Sequence, residues 1–163
     1  AHALIDGAKA MQQGTISQAP VREEGTTTRS IPLTLPDQAC RDHIRFEQGD
    51  ACNLRDNIGT FDAILMANLI DRLPAPRACL DRLPHLLAPG GIAVITSPYT
   101  WLEEYTPRDQ WLGTGGSDTF NTLSTILAEN FDLVHRDDMP FLIREHRRKF
   151  QWSVAEATVW RKT

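Results

Sequence analysis

The sequence predicts an α/β sandwich built on a mostly parallel sheet with an antiparallel edge strand. Two apolar runs, 63–67 and 92–96, are the first reason. Each is short and without alternation, which reads as a strand covered on both faces. The second reason is the alternation of such strands with helical patterns along the chain. The third is where polar residues gather. Asn68, Asp71 and Arg72 come directly after the first run, and in an open parallel sheet ligands lie in the crevice beyond the carboxyl ends of the strands. The strand is therefore core, and the residues after it are the first candidates for chemistry.

The chain has 163 residues, which suits a single domain over 1–163 with a real core. Its formal net charge of -4 gives no basic footprint for nucleic acid or an anionic membrane. No apolar run approaches the ~20 residues of a membrane span. The start, Ala-His-Ala-Leu-Ile-Asp-Gly, lacks a basic region and a long apolar core, so it does not read as a secretory signal. Cys40, Cys52 and Cys79 are far apart and form no cluster with zinc spacing. A reducing cytoplasm is the expected compartment, and no metal is expected.

Taken in order, residues 1–13 have helical spacing, with Gly14 where a helix would end. Residues 15–40 are polar and rich in Pro, Gly and Thr, and read as an insertion or loose hairpin with 26–35 as one arm. Residues 43–48 read as a short strand. The central strand follows at 61–67. Ala78, Cys79, Leu80, Leu83, Leu86 and Leu87 then form one apolar face of a helix that Pro84 kinks. Ala88-Pro89-Gly90-Gly91 is a strong stop before the strand 92–96. Residues 99–116, with Trp101, Tyr105 and Trp111, form a connection long enough to be a lid or disordered. Ser117 or Asp118 caps a helix at 119–130. A strand at 131–135, a charged connection at 137–149 and a last strand at 150–160 complete the chain.

The motifs carry a resemblance. Gly49-Asp50-Ala51, Phe61-Asp62-Ala63-Ile64 and Ala88-Pro89-Gly90-Gly91 resemble the later motifs of class I S-adenosylmethionine-dependent methyltransferases, over about two-thirds of the chain. A narrower likeness rests on Met66-Ala67-Asn68-Leu69-Ile70-Asp71-Arg72-Leu73-Pro74, on 96–104, on 141–146 and on 149–153. These resemble the mercaptohistidine N-methyltransferase domain at the C-terminus of ovothiol-synthesising proteins. The fold implied is a Rossmann-like sandwich, N-terminally truncated, because the family's glycine-rich loop after the first strand and the acidic residue after the second have no counterpart here. The family order is 3-2-1-4-5-7-6. Without strands 1 and 2, the strand at 61–67 is left with a bare edge. The expectation is therefore either upstream sequence in the natural protein or a repaired edge. Repair could come from the strand at 43–48 or from a second chain in a strand-edge or domain-swapped dimer.

The resemblance implies S-adenosylmethionine as cofactor and a small amino-acid substrate. Asp50 would accept from the adenine amine and the Ala51 backbone would touch its ring. Ala67 and Asn68 would line the methionine half, with Leu73 close by. Methyl transfer from a sulfonium needs alignment above all. A neutral imidazole already has its lone pair near neutral pH, so the requirement is the correct tautomer, fixed by a hydrogen bond to the other ring nitrogen. Asp71, Tyr99, Glu103 and Glu104 all follow expected strand ends and are candidates for that bond. Arg72, Arg144 or Arg147 would meet the substrate carboxylate. Each residue also has a structural reading: Asp50 as a turn former, Asn68 as a strand-end cap, 144–149 as a solvated charge run. Ser97 lacks the Gly-x-Ser-x-Gly elbow of a hydrolase. A non-catalytic α/β module packing on a sulfoxide synthase domain is the alternative function.

Overall fold

In the computed structural model, residues 2–36 and 40–163 are described. Ala1, at the start of the expected first helix, and 37–39, within the expected insertion, lie outside the described residues. The chain divides into two compact units, one of 1–49 with 142–151, the other of 50–141 with 152–163.

The first unit opens with helix α1, His2–Gln12. Strands β1, Gln18–Glu24, and β2, Thr27–Pro32, pair antiparallel. Gly25 starts the two-residue turn with φ 53, a backbone that glycine adopts without steric cost. The strand expected at 43–48 does not form. Arg41–His43 is a single 3-10 turn, and 44–50 has no ladder partner. Gln12 Nε2 instead donates to the carbonyls of Arg41 at 2.5 Å and Ile44 at 2.8 Å. Alternating Ile44 and Phe46 carry the strand pattern, but a strand also needs a neighbour's hydrogen bonds.

A four-stranded sheet lies mainly in the second unit, while 142–146 and 149–151, at the turn end of its last two strands, belong to the first. Its strands are β3, Phe61–Ala67, β4, Leu87–Ser97, β5, Phe131–His146, and β6, Lys149–Lys162, in the order β3-β4-β6-β5. This is the 4-5-7-6 part of the implied order. β3 and β4 are parallel, with Ala63 opposite Ile92 and Ala67 opposite Thr96. β6 runs antiparallel to β4, with Ile92 opposite Arg161 and Ser97 opposite Glu156. β5 joins β6 through the two residues Arg147 and Arg148, and so close a connection between neighbours makes an antiparallel hairpin. Three strands therefore point one way, and the opposed strand lies inside the sheet rather than at its rim.

Helix α2, Pro76–Leu86, starts on a proline whose missing N–H costs nothing at a first turn. It buries Cys79, Leu80, Leu83 and Leu86. Pro84 cannot donate to Leu80. Lys162 Nζ compensates at that end, donating to the Pro84 carbonyl at 2.6 Å and the Leu87 carbonyl at 2.8 Å. Helix α3, Thr119–Leu127, is capped by Asp118, whose carboxylate accepts from Asn121 N. Leu80 and Leu83 of α2 and Leu123 and Leu127 of α3 form one core with Met66, Ala93, Ile95 and Trp160 of the sheet.

Three expectations are corrected here, and one is met. β3 is not covered on both faces: Met66 is buried, but Leu65 is 68% exposed. In this unit both helices pack on the Met66–Ile95 side, so the Leu65–Val94 side stays open. The expected bare edge is present, since among the described residues β3 pairs only with β4 and 43–48 does not repair it. Residues 88–91 do not stop the chain before a strand. They form an irregularity within β4, where the partner jumps from Phe61–Leu87 to Ala63–Ile92. A Cβ on Gly91 would lie 2.8 Å from the Ala88 carbonyl. Finally, 137–146 is strand. That end of the hairpin is largely exposed and is held by its ladder rather than by burial, so hydropathy does not reveal it.

Candidate active site

Among the described residues, two other than glycine have positive φ, Asn68 at 49 and Tyr99 at 51. They stand beyond the carboxyl ends of β3 and β4, which are parallel neighbours. Such backbone is uncommon outside glycine and, for a bulky residue such as tyrosine, stores strain that the surroundings must hold. Asn68 is held by Thr96. Its N–H donates to the Thr96 carbonyl at 2.8 Å and to the Thr96 hydroxyl at 3.1 Å. The Thr96 hydroxyl donates back to Asn68 Oδ1 at 3.1 Å. Ala67 is the last residue of β3 and is exposed.

Asp71 ties the two loops together. It is 1% exposed, and its Oδ2 accepts from Thr100 N at 3.0 Å and from Arg72 Nη1 at 3.1 Å. Arg72 also donates to the Thr100 carbonyl and lies over the Tyr105 ring, 5.3 Å from its centroid. Asp71 Oδ1 has no partner among the described residues. Leu73 is buried in the core, and its carbonyl accepts from the Thr106 hydroxyl at 2.7 Å. That bond helps fix 99–116, which is not a free lid. Thr106 and Leu112 are buried, Trp111 Nε1 donates to the Thr106 carbonyl, Trp101 Nε1 donates to Thr119, and Trp101 stacks on Trp111 at 6.4 Å.

The Tyr99 hydroxyl donates to Glu156 Oε1 at 2.6 Å. Burial, then this bond, push its pKa far up, so it stays protonated. Glu156 Oε2 takes Arg136, whose guanidinium lies over the Phe120 ring 3.5 Å from its centroid. Sequence reasoning missed Glu156 and Arg136. The one available signal was an acid in the middle of the last strand between two alanines, Ala155 and Ala157, both of them buried.

Asp50 is exposed and takes Cys52 N at 2.9 Å through Oδ1, in a turn closed by Asn53 N on the Asp50 carbonyl. Ala51 is half-buried beside the core. Glu103 is exposed and lies 3.8 Å from Arg108; Glu104 is exposed too. Arg144 belongs to the first unit, where it pairs with Glu23 at 3.1 Å. Burial raises the Glu23 pKa, but Arg29 and Arg144 outweigh it and hold the carboxyl below its usual range. Arg147 is in that unit as well, its N–H on the Glu23 carbonyl. Asn68, Asp71 and Tyr99 are thus brought together around the ends of β3 and β4, within the second unit. No group of three metal-ligating side chains occurs among the described residues, and no helix is long and apolar enough to cross a membrane.

A family model described as a methyltransferase domain matches residues 25–95. No curated protein sequence matches the chain. Among solved structures, a SAM-dependent methyltransferase from Methanosarcina mazei superposes with a TM-score of 0.50 at 16% identity, over 72% of this chain and 66% of that one. A protein solved in work on converting a disulfide bond into a thioacetal group during echinomycin biosynthesis gives 0.50 at 17% identity, over 72% and 55%. The N-methyltransferase NodS from Bradyrhizobium japonicum WM9, in complex with S-adenosyl-L-homocysteine, gives 0.44 at 21% identity, over 70% and 52%. The chain thus spans between 52% and 66% of the length of these proteins. By its strand order, the two superpositions at 0.50 and the matched model, the chain has the Rossmann-like α/β fold of the class I methyltransferases.

Proposed function

We propose that this chain is part of an S-adenosylmethionine-dependent N-methyltransferase acting on the imidazole of a mercaptohistidine-like small molecule. The observation that carries the reading is the pair of strained residues, Asn68 and Tyr99, at the ends of adjacent parallel strands. That is where open α/β sheets hold ligands, and strain held in place there supports a functional constraint. The motif resemblance supports the acceptor class.

When bound, the cofactor supplies an electrophilic methyl group. The residues present fit part of its outline. Asp50 is exposed, forms no ion pair among the described residues, and spends one oxygen on Cys52; its remaining acceptor capacity suits an exocyclic amine. Ala51 would flank the adenine, and Ala67, Asn68 and Leu73 the methionine half. Asp71 acts through the loops it joins and is a positioning residue. Tyr99 would orient the acceptor ring, and Glu103 stands at the rim of the same loop.

The test is transfer of labelled methyl from S-adenosylmethionine to a mercaptohistidine by the whole protein. Loss of transfer in Asp50→Ala and Asn68→Ala, with unchanged circular dichroism, is the expected result. Undiminished transfer in both variants would refute the assignment. A second reading, a non-catalytic module that packs on a sulfoxide synthase domain or a second chain, draws support from the open β3 edge and exposed Leu65. It predicts binding to that domain and no methyl transfer.

A further inference from the structure

Beyond β4 a cavity of about 280 Å³ is lined by Tyr99, Asp118, Phe120, Arg136, Asp138 and Glu156. Its size suits a small molecule of a few heavy atoms. We propose that it is the acceptor subsite and that it selects N–H donors, binding a small cation that carries an azole or amine nitrogen. The inference deepens the methyltransferase reading and rests on it for the word acceptor.

Three observations support it. First, the polarity of the Tyr99 hydroxyl is fixed: its only proton points to Glu156 Oε1 at 2.6 Å. A phenol so engaged has only lone pairs to offer a ligand, so it accepts from an N–H. Second, the wall carries three carboxylates, Asp118, Asp138 and Glu156, against one guanidinium, Arg136. Arg136 is neutralised by Glu156, and Asp118 spends one oxygen on its helix cap. The Asp138 carboxylate makes no hydrogen bond or ion pair among the described residues, and it lines the cavity. The unspent charge is therefore negative. Third, Phe120 packs under the Arg136 guanidinium at 3.5 Å, which holds that cation back against Glu156 and limits its reach toward an anionic ligand.

For an imidazole acceptor this arrangement fixes one tautomer. The ring N–H donates to Tyr99 Oη, and the other nitrogen keeps its lone pair for attack. No proton need move to Tyr99, whose hydroxyl serves as an acceptor throughout. Glu156 acts through Tyr99 and is a positioning residue.

The experiment is a ligand-observed NMR titration of the chain with histamine, an imidazole bearing a primary amine, and with propionate as an anion of similar size. Histamine should bind and propionate should not. Tyr99→Phe, which keeps the ring, and Asp138→Asn, on the exposed strand, should each weaken histamine about tenfold, the effect of one hydrogen bond to a charged or oriented group. Near-UV circular dichroism verifies that both variants keep their packing. Absent histamine binding, equal binding of propionate, or unchanged affinity in both variants would overturn the subsite. Methyl-transfer kinetics separate this from the parent reading. Transfer with KM unchanged in both variants sinks the subsite and leaves the methyltransferase. Selective histamine binding with no methyl transfer to any acceptor sinks the methyltransferase and leaves an amine-binding pocket.

Discussion

Replacing Asp71 with alanine tests how the candidate site is held in shape. The carboxylate is 1% exposed and makes two charge-assisted bonds through Oδ2, to Thr100 N and Arg72 Nη1. Bonds to charged groups contribute about 1.5–3 kcal/mol each, so the two together are worth ~3–6 kcal/mol. The same residue buries Oδ1 without a partner, and an unmade bond costs about 1–3 kcal/mol. Alanine removes both the gain and the cost. Arg72 keeps its bonds to the Asp71 and Thr100 carbonyls, which softens the loss. The expected net destabilisation is about 2–3 kcal/mol. With a urea slope of ~2 kcal/mol/M, the midpoint should fall by about 1 M. Asparagine keeps an acceptor for Thr100 N and should lose roughly half as much. A midpoint shift under ~0.2 M for alanine would mean that the two loops do not depend on this carboxylate, and the positioning role given to Asp71 would be wrong.

The other predictions are shorter. Leu83→Ala empties a site that is 1% exposed and should cost about 2–5 kcal/mol, read as a urea midpoint. Gly91→Ala would force a Cβ to 2.8 Å from the Ala88 carbonyl and should cost about 1–3 kcal/mol, whereas alanine at Gly25 should cost about 1 kcal/mol for its left-handed backbone alone. Asn68→Gly relieves the positive φ, so stability should change by less than ~0.5 kcal/mol while methyl transfer falls. Equal activity would show that the amide side chain has no role. Cys79 is raised from 9.0 to about 11 by burial, with Cys52 and Asp50 adding to the effect. Its folded pKa lies above the unfolded one, so its contribution to stability is complete below pH 9.0 and is lost as pH rises toward about 11. At pH 8 Cys79 should react with a thiol reagent more slowly than exposed Cys40.

The parts of the fold legible in the sequence are those where burial and period coincide. The helix α2 face, the cap at Asp118 and the two apolar runs all record what the core demands. Coverage of β3 was misread for the same reason: an apolar run states a preference for burial on both faces, and Leu65 has that preference unmet. The strand expected at 43–48 failed because alternation of Ile44 and Phe46 says nothing about a hydrogen-bonding neighbour. The exposed end of the β5–β6 hairpin was missed because a ladder leaves no hydropathy signal. In the site, Asn68, Asp71 and Tyr99 were legible as polar residues after strand ends. Glu156 was not, since its partnership with Tyr99 spans 57 residues and exists only because β6 lies beside β4.

The strand order has a consequence for biosynthesis. β6 follows β3, β4 and β5 in sequence but is interior in the sheet, lying between β4 and β5. On a ribosome the β3–β4 pair and both helices emerge first, and β5 has no seat until β6 has followed it out. Until then the β4 edge that will receive β6, the resting place of Trp160, and the carbonyls of Pro84 and Leu87 that Lys162 will bind all wait open. The sheet therefore closes only once β6 has joined it, as one late event with a long loop to close. A nascent chain halted before 149 should be open to proteases and in need of a holding chaperone, and release of the final 14 residues of β6 should mark the moment when it becomes resistant.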